Sequence, residues 1–331
     1  MTIFRRWPVL LALIAGLCLA AWVIMSVDVH AILKSVAQVG VGGFLLLCLG
    51  LAGVLLLLGA ALLVSMPGEP LHRLPLFLWS RTTREAASDL LPFSQIGGLV
   101  VGARVLLGGG IASRRVYAAM IVDLTTEMLA QLFFTLFGLW MLSTMLLYPV
   151  AAHALRPLAW AGAGAALAIT LAFVLLQRPA LRFMGLMASR ILPDTQAGID
   201  DILAQLAIFY RDHRALIASL ALNLLAWTAS AANAWLILWL MGRPMPFAQI
   251  AALESLIFAL RSVAFVIPGA LGVQEAGYVL LGPVFGLPPS AAVTLSVIKR
   301  GRELAIAVPA ILLWQLSELR SRWQHVRVTQ D

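Results

Sequence analysis

The sequence predicts an all-α, polytopic integral membrane protein with about six full transmembrane helices and two broken or re-entrant helical hairpins in inverted repeats. Three observations carry this expectation. Of the 331 residues, 62% are hydrophobic and 11% charged, with a mean hydropathy of +0.96. The apolar residues gather in runs of about 20, long enough at 1.5 Å per residue to cross a hydrocarbon core of roughly 30 Å. Two intervening tracts are interrupted by Pro and Gly, and the second half echoes the first at an offset of 176 residues.

The clearest runs are 7–27, 41–64, 116–148, 157–177, 215–241 and 289–316. The first follows "MTIFRR", a positive start like that of a signal peptide. Its apolar stretch is too long for one, and "AWVIMSVDV" offers no small-residue cleavage site, so it reads as a retained helix. Tract 76–110 carries the break "LLPFSQIGG", and tract 247–286 carries "VIPGALGVQEAG". Treating both tracts as hairpins that leave by the face they entered puts 15 basic residues inside and three outside. The positive-inside rule favours that arrangement, with both termini cytoplasmic and the chain in a bacterial inner membrane. Segment 178–213 is too polar to span. Ile199, Leu203, Leu206 and Tyr210 recur there at helical spacing, which suits helices at the inner headgroup surface or a solvated segment packed on the domain.

These runs divide a single transmembrane domain, 1–331, into a first helix and loop (1–40), repeat 1 (41–148), a linking helix and cytoplasmic interfacial segment (149–213), repeat 2 (214–316) and a cytoplasmic tail (317–331). At the offset, Pro92 falls on Pro268, Gly110 on Gly286 and Glu127 on Glu303. Three full crossings separate the two unit starts, and an odd number inverts the second unit, a design that recurs in transporters. The expected helix breaks are Pro92, Gly97 and Gly98 in the first unit and Pro268, Gly269 and Gly272 in the second. Kinks that merely fit helices together are the plainer alternative.

The stretch "SVIKRGREL" places Lys299, Arg300, Arg302 and Glu303 inside an apolar helix. Each cation at the bilayer centre costs at least ~2.5 kcal/mol unless paired or hydrated. Lys299 and Glu303 are spaced to pair along their own helix. Asp123 and Glu127, likewise four apart, sit at similar depth in 116–148 and are expected to face the cations from the other half. Arg261 and Glu275 flank the second break; Arg84, Glu85, Asp89 and Arg104 surround the first. Two readings stay open: an ion-pair network that fixes helix register, or a hydrated cavity for a polar or charged headgroup. The second accounts for broken helices and buried charge together, and half-helix N-termini would add donors for an anion.

Other chemistry is sparse. His30, His72, His153, His213 and His325 are scattered, and Cys18 and Cys48 lie in apolar runs, so neither a metal site nor a cofactor nor a catalytic residue is expected. The net charge of +8 reflects topology rather than nucleic-acid binding. Asn223 and Asn233 suit hydrogen bonds between helices.

"SDLLPFSQIGGLVVGARVLLGGG", "VDLTTEMLAQ", "FVIPGALGVQEAGYVLLG" and "LSVIKRGRELAI" resemble the transmembrane family of lysylphosphatidylglycerol synthase/flippase proteins, nearest its hopanoid-biosynthesis-associated branch. The resemblance covers roughly 5–320. It implies a lipid translocase whose break motifs and charged helices surround a headgroup path. By that likeness the substrate-binding set is Asp123, Glu127, Arg261, Glu275, Lys299, Arg300, Arg302 and Glu303. Leu99 departs from the family's Gly-Gly-Glu break, so the acidic role rests on Glu275. The sequence stops soon after its last helix, without the soluble aminoacyl-transfer domain of larger members, so no synthase activity is expected. The resemblance implies a membrane lipid, a hopanoid or its precursor, as substrate, with lipid-biosynthesis enzymes as candidate partners. Lys299, Arg300 and Arg302 would hold the headgroup, and Asp123, Glu127 and Glu303 would neutralise them in the empty site. A transporter is expected ahead of an enzyme. The rivals are a membrane-embedded headgroup transferase and a noncatalytic scaffold.

Overall fold

The computed structural model describes residues 29–90, 94–145, 170–183, 195–263 and 272–328, with isolated positions between 161 and 168 and Ala270. Every regular element among them is helical. The chain runs through α1 (Val29–Val64), α2 (Leu74–Leu90), α3 (Ser94–Gly108), α4 (Ser113–Met145), α5 (Thr195–Phe209), α6 (His213–Leu240), α7 (Phe247–Val263), α8 (Val273–Leu281) and α9 (Pro289–Val328). Residues 170–183 are helical as well.

Among the described residues, Val39–Val64, Ser113–Met145 and His213–Leu240 are long and apolar enough to cross a membrane. Their outer faces are apolar: Leu49 and Trp140 are largely exposed, as is Leu280 in α8. That is the surface a bilayer, rather than water, would cover. Within α1, Gly40 leaves helical geometry at φ 78°, so the segment before it is set off from the span. The 7–27 run and most of the 157–177 run lie outside the described residues.

Both interrupted tracts fold as helical hairpins. In the first, α2 and α3 run antiparallel. Ser80 donates to the Gly102 carbonyl at 2.9 Å, and a Cβ on Gly98 would stand 2.2 Å from the Ser88 hydroxyl and 2.5 Å from the Arg84 carbonyl. In the second, α7 and α8 lie side by side, with Gly277 against Ile257 and Leu260. Gly110 (φ 81°) and Gly286 (φ 84°) both take left-handed backbone after their hairpins, and each stands three residues before a long helix. Those helices open at Ser113 and Pro289, so the units correspond element by element at the offset of 176.

The breaks need one correction. Gly97 and Gly98 do not interrupt a helix; they lie inside α3, where Gly98 lets two helices touch. Gly272 is a true break: at φ 77° it precedes α8, and its N–H donates to the Glu275 carboxylate at 2.8 Å. Pro92, Pro268 and Gly269 lie outside the described residues.

Around the hairpins, α1 packs against α6, α2 and α9, while α4 packs against α5, α6 and α7. Polar rungs tie the apolar helices together. Asn223 donates to Thr126 (3.2 Å), Thr126 and Ser65 each meet Ser219 (2.8 and 2.9 Å), and Asn233 donates to the Leu47 carbonyl (3.1 Å). The two asparagines thus bridge helices as their positions in apolar runs suggested. Helix α5 buries Leu206 and Phe209 in the α2–α4 core, and Tyr210 just after it hydrogen-bonds Thr125 at 2.8 Å.

Candidate functional site

The first charged cluster joins α2 to α4. Arg81 and Arg84, three apart, share one face of α2; Asp123 and Glu127, four apart, share one face of α4. Arg81 reaches Asp123 at 3.2 Å, Glu85 at 2.8 Å and both oxygens of Glu127; Arg84 reaches Asp123 at 3.0 Å and Glu127 at 2.9 Å. Arg81, Arg84 and Asp123 are buried. Two guanidinium forks against two carboxylates is the geometry that makes buried charge tolerable.

The second cluster joins α7, α8 and α9. The Lys299 ammonium donates to Glu254 at 2.5 Å and to the Tyr278 hydroxyl at 2.6 Å, and Tyr278 donates to Glu254. All three side chains are buried, and the ammonium also sits 5.2 Å from the Phe258 and Tyr278 ring centres. Arg300 bridges Glu275 (3.4 Å) and Glu303 (3.5 Å). Arg261 ties the second half to the first: it meets Asp89 of α2 at 3.1 Å, besides Glu303 at 3.3 Å and Gln274 at 2.9 Å.

A cavity of about 430 Å³ lies between these clusters. Leu51, Val54, Leu55 and Leu58 of α1 form an apolar wall; Arg81, Arg84, Glu85, Asp89, Glu127, Arg261, Arg302 and Glu303 form a charged one. Both halves therefore contribute charge to one space. Arg302 differs from its neighbours. It is buried to 2% exposure, and among the described residues its Nε and Nη1 make no hydrogen bond and its guanidinium makes no ion pair.

The expected contact of Asp123 and Glu127 with the α9 cations does not occur. The two acids are taken by Arg81 and Arg84, because α2 rather than α4 lies alongside α9. Lys299 does not pair with Glu303 on its own helix either; Glu254 and Tyr278 on the second hairpin take it. Of the expected residues, Glu127, Arg261, Arg302 and Glu303 line the cavity. Asp123, Glu275, Lys299 and Arg300 stand behind it as partners of other charges. Arg81, Glu254 and Tyr278 were missed. Arg81 sits in a tract that reads as a basic cytoplasmic segment. Glu254 did carry a signal, being the lone acid in "FAQIAALESLIFALRSV", where the insertion-cost reasoning applied to Lys299 applies equally. No group of three or more potential metal ligands occurs among the described residues.

No curated protein and no solved structure matches the chain. The family described as the lysylphosphatidylglycerol synthase TM region matches residues 9–325, nearly the whole sequence. With its apolar spanning helices and that match, the chain is a multi-pass membrane protein belonging to the lysylphosphatidylglycerol synthase TM region family.

Proposed function

We propose that this protein is a flippase-like lipid translocase that moves a polar-headed lipid between leaflets through the cavity shared by its two halves. The cavity carries the reading: a charged wall stands opposite an apolar wall of α1, as a headgroup and the first part of its tail would require. A volume of about 430 Å³ falls within the range of small-molecule sites and suits a headgroup, leaving the chains in lipid. A hopanoid or its precursor is the candidate cargo from the sequence resemblance. The positive-inside tally supports an inner-membrane location with cytoplasmic termini. The headgroup enters the cavity, and the two units then rock to open the other face. Arg261, Arg302 and Glu303 are proposed to contact it, with Asp123, Glu275, Lys299 and Arg300 holding the wall in place.

A leaflet-sidedness assay on the purified chain in proteoliposomes tests this. A translocase changes which leaflet holds a labelled lipid without altering the lipid's mass. A headgroup transferase alters the mass, and a scaffold does neither. Glu303→Gln should reduce translocation at least about tenfold, the loss of one charge-assisted contact. Undiminished transport in this variant would remove the cavity from the mechanism.

A further inference from the structure

The hydrogen-bonding groups left unmet on the cavity wall are all of one kind. Among the described residues lining it, the buried polar atoms without partners are Arg302 Nε and Nη1, Trp227 Nε1 and Arg81 Nε. Each is an N–H donor with no acceptor capacity. The wall's four carboxylates, by contrast, are already committed to arginines: Glu85 and Glu127 to Arg81, Asp89 and Glu303 to Arg261. What the wall lacks is acceptors and one negative charge beside Arg302.

We infer that the cavity binds a phosphate-type oxyanion carried by the lipid headgroup, with Arg302 and the Trp227 indole N–H as its donors. This rests on the translocase reading and narrows its substrate class. Three headgroup chemistries can be compared. An ammonium group has donors only; it would meet N–H groups and carboxylates already in ion pairs. A neutral polyol could accept from Arg302 but would leave its charge uncompensated in a low-dielectric site. An oxyanion provides several acceptor oxygens and the missing charge together, and bidentate arginine–phosphate contacts are among the stronger hydrogen bonds. A hopanoid would qualify only if its headgroup bears such a group.

Trp227 makes the inference testable without disturbing the fold. Its ring packs edge-on against Phe258 at 4.5 Å and beside Phe134 at 6.3 Å, contacts that Trp227→Phe largely keeps while deleting the N–H. The experiment measures binding of the detergent-solubilised full chain to dioctanoyl phosphatidylglycerol, dioctanoylglycerol and inorganic phosphate. Binding does not depend on transport, so it can fail separately from the leaflet assay. The expected result is phosphatidylglycerol binding at least about tenfold tighter than dioctanoylglycerol or inorganic phosphate. Trp227→Phe should weaken it about tenfold with an unchanged melting temperature, and Arg302→Gln by about a hundredfold, from the loss of charge-assisted bonds. Equal binding of dioctanoylglycerol, or full affinity in either variant, overturns the inference while leaving the translocase reading to its own assay. Inorganic phosphate binding as tightly as the lipid overturns the lipid assignment.

Discussion

Lys299 shows what fixes a charge inside this protein. Its ammonium is enclosed by Glu254, Tyr278 and the Phe258 ring, and every one of these lies on the second hairpin. Glu254→Gln would leave a buried ammonium without its counter-charge, a loss of about 3–5 kcal/mol for a pair broken on one side. Glu254→Gln with Lys299→Met removes the unpaired charge as well and should regain most of that stability. Thermal unfolding in detergent checks both; a double variant no more stable than Glu254→Gln alone would mean the pair is not what holds the hairpin to α9. Asp123 follows the same logic from the other half. It occupies the Lys299 position at the repeat offset with the opposite sign, and it too is served by a neighbouring hairpin, through Arg81 and Arg84.

At the level of the elements, both hairpins depend on glycines at close approaches as well as at turns. Gly98 is the tightest of those in the first hairpin, where an added methyl would meet a hydroxyl and a backbone carbonyl of α2. Gly98→Ala should therefore destabilise by about 1–3 kcal/mol, the usual penalty for overpacking. Gly53→Ala, in α1 with nothing within 4 Å of the added carbon, should be neutral or slightly stabilising through helix propensity. Equal melting temperatures for the two variants would show that α2 and α3 do not lie so close. The sequence made the hairpins, the long helices and the turn glycines legible, because Pro/Gly punctuation and apolar run length act locally. It misassigned Gly97 and Gly98 as breaks because a glycine that opens a turn and one that admits a neighbouring helix look alike along the chain. The partners of the buried charges were also hidden. A one-dimensional pattern shows that α4 and α9 carry charge, but not that α2 stands between α9 and the carboxylates of α4, nor how each helix is rotated about its axis. The unfilled state of Arg302 could be seen only once every other cation had been matched.

For the whole molecule, the distribution of ion pairs matters more than their number. Those among the buried charges of α2 and α4 stay within the first half, and those of Lys299 and Arg300 stay within the second. Among the described residues, Arg261 with Asp89 is the ion pair that joins the two. Asp89→Asn and Arg261→Gln should accordingly be non-additive in unfolding free energy, with a coupling of about 0.5–3 kcal/mol. Asp89→Asn with Arg73→Gln, remote at the other end of α2, should add simply. Additivity in both cycles would show that Arg261 does not bridge the halves.

That distribution makes the seam between the halves electrostatically thin. A slide of one half past the other carries most counter-ions along as fixed cargo and parts a single salt bridge at the joint. Both its ends are already partly open to solvent, with 20% and 17% of their side-chain surface exposed, so water can solvate them as they separate. A joint of that kind can be worked repeatedly without stripping a bare charge into hydrocarbon.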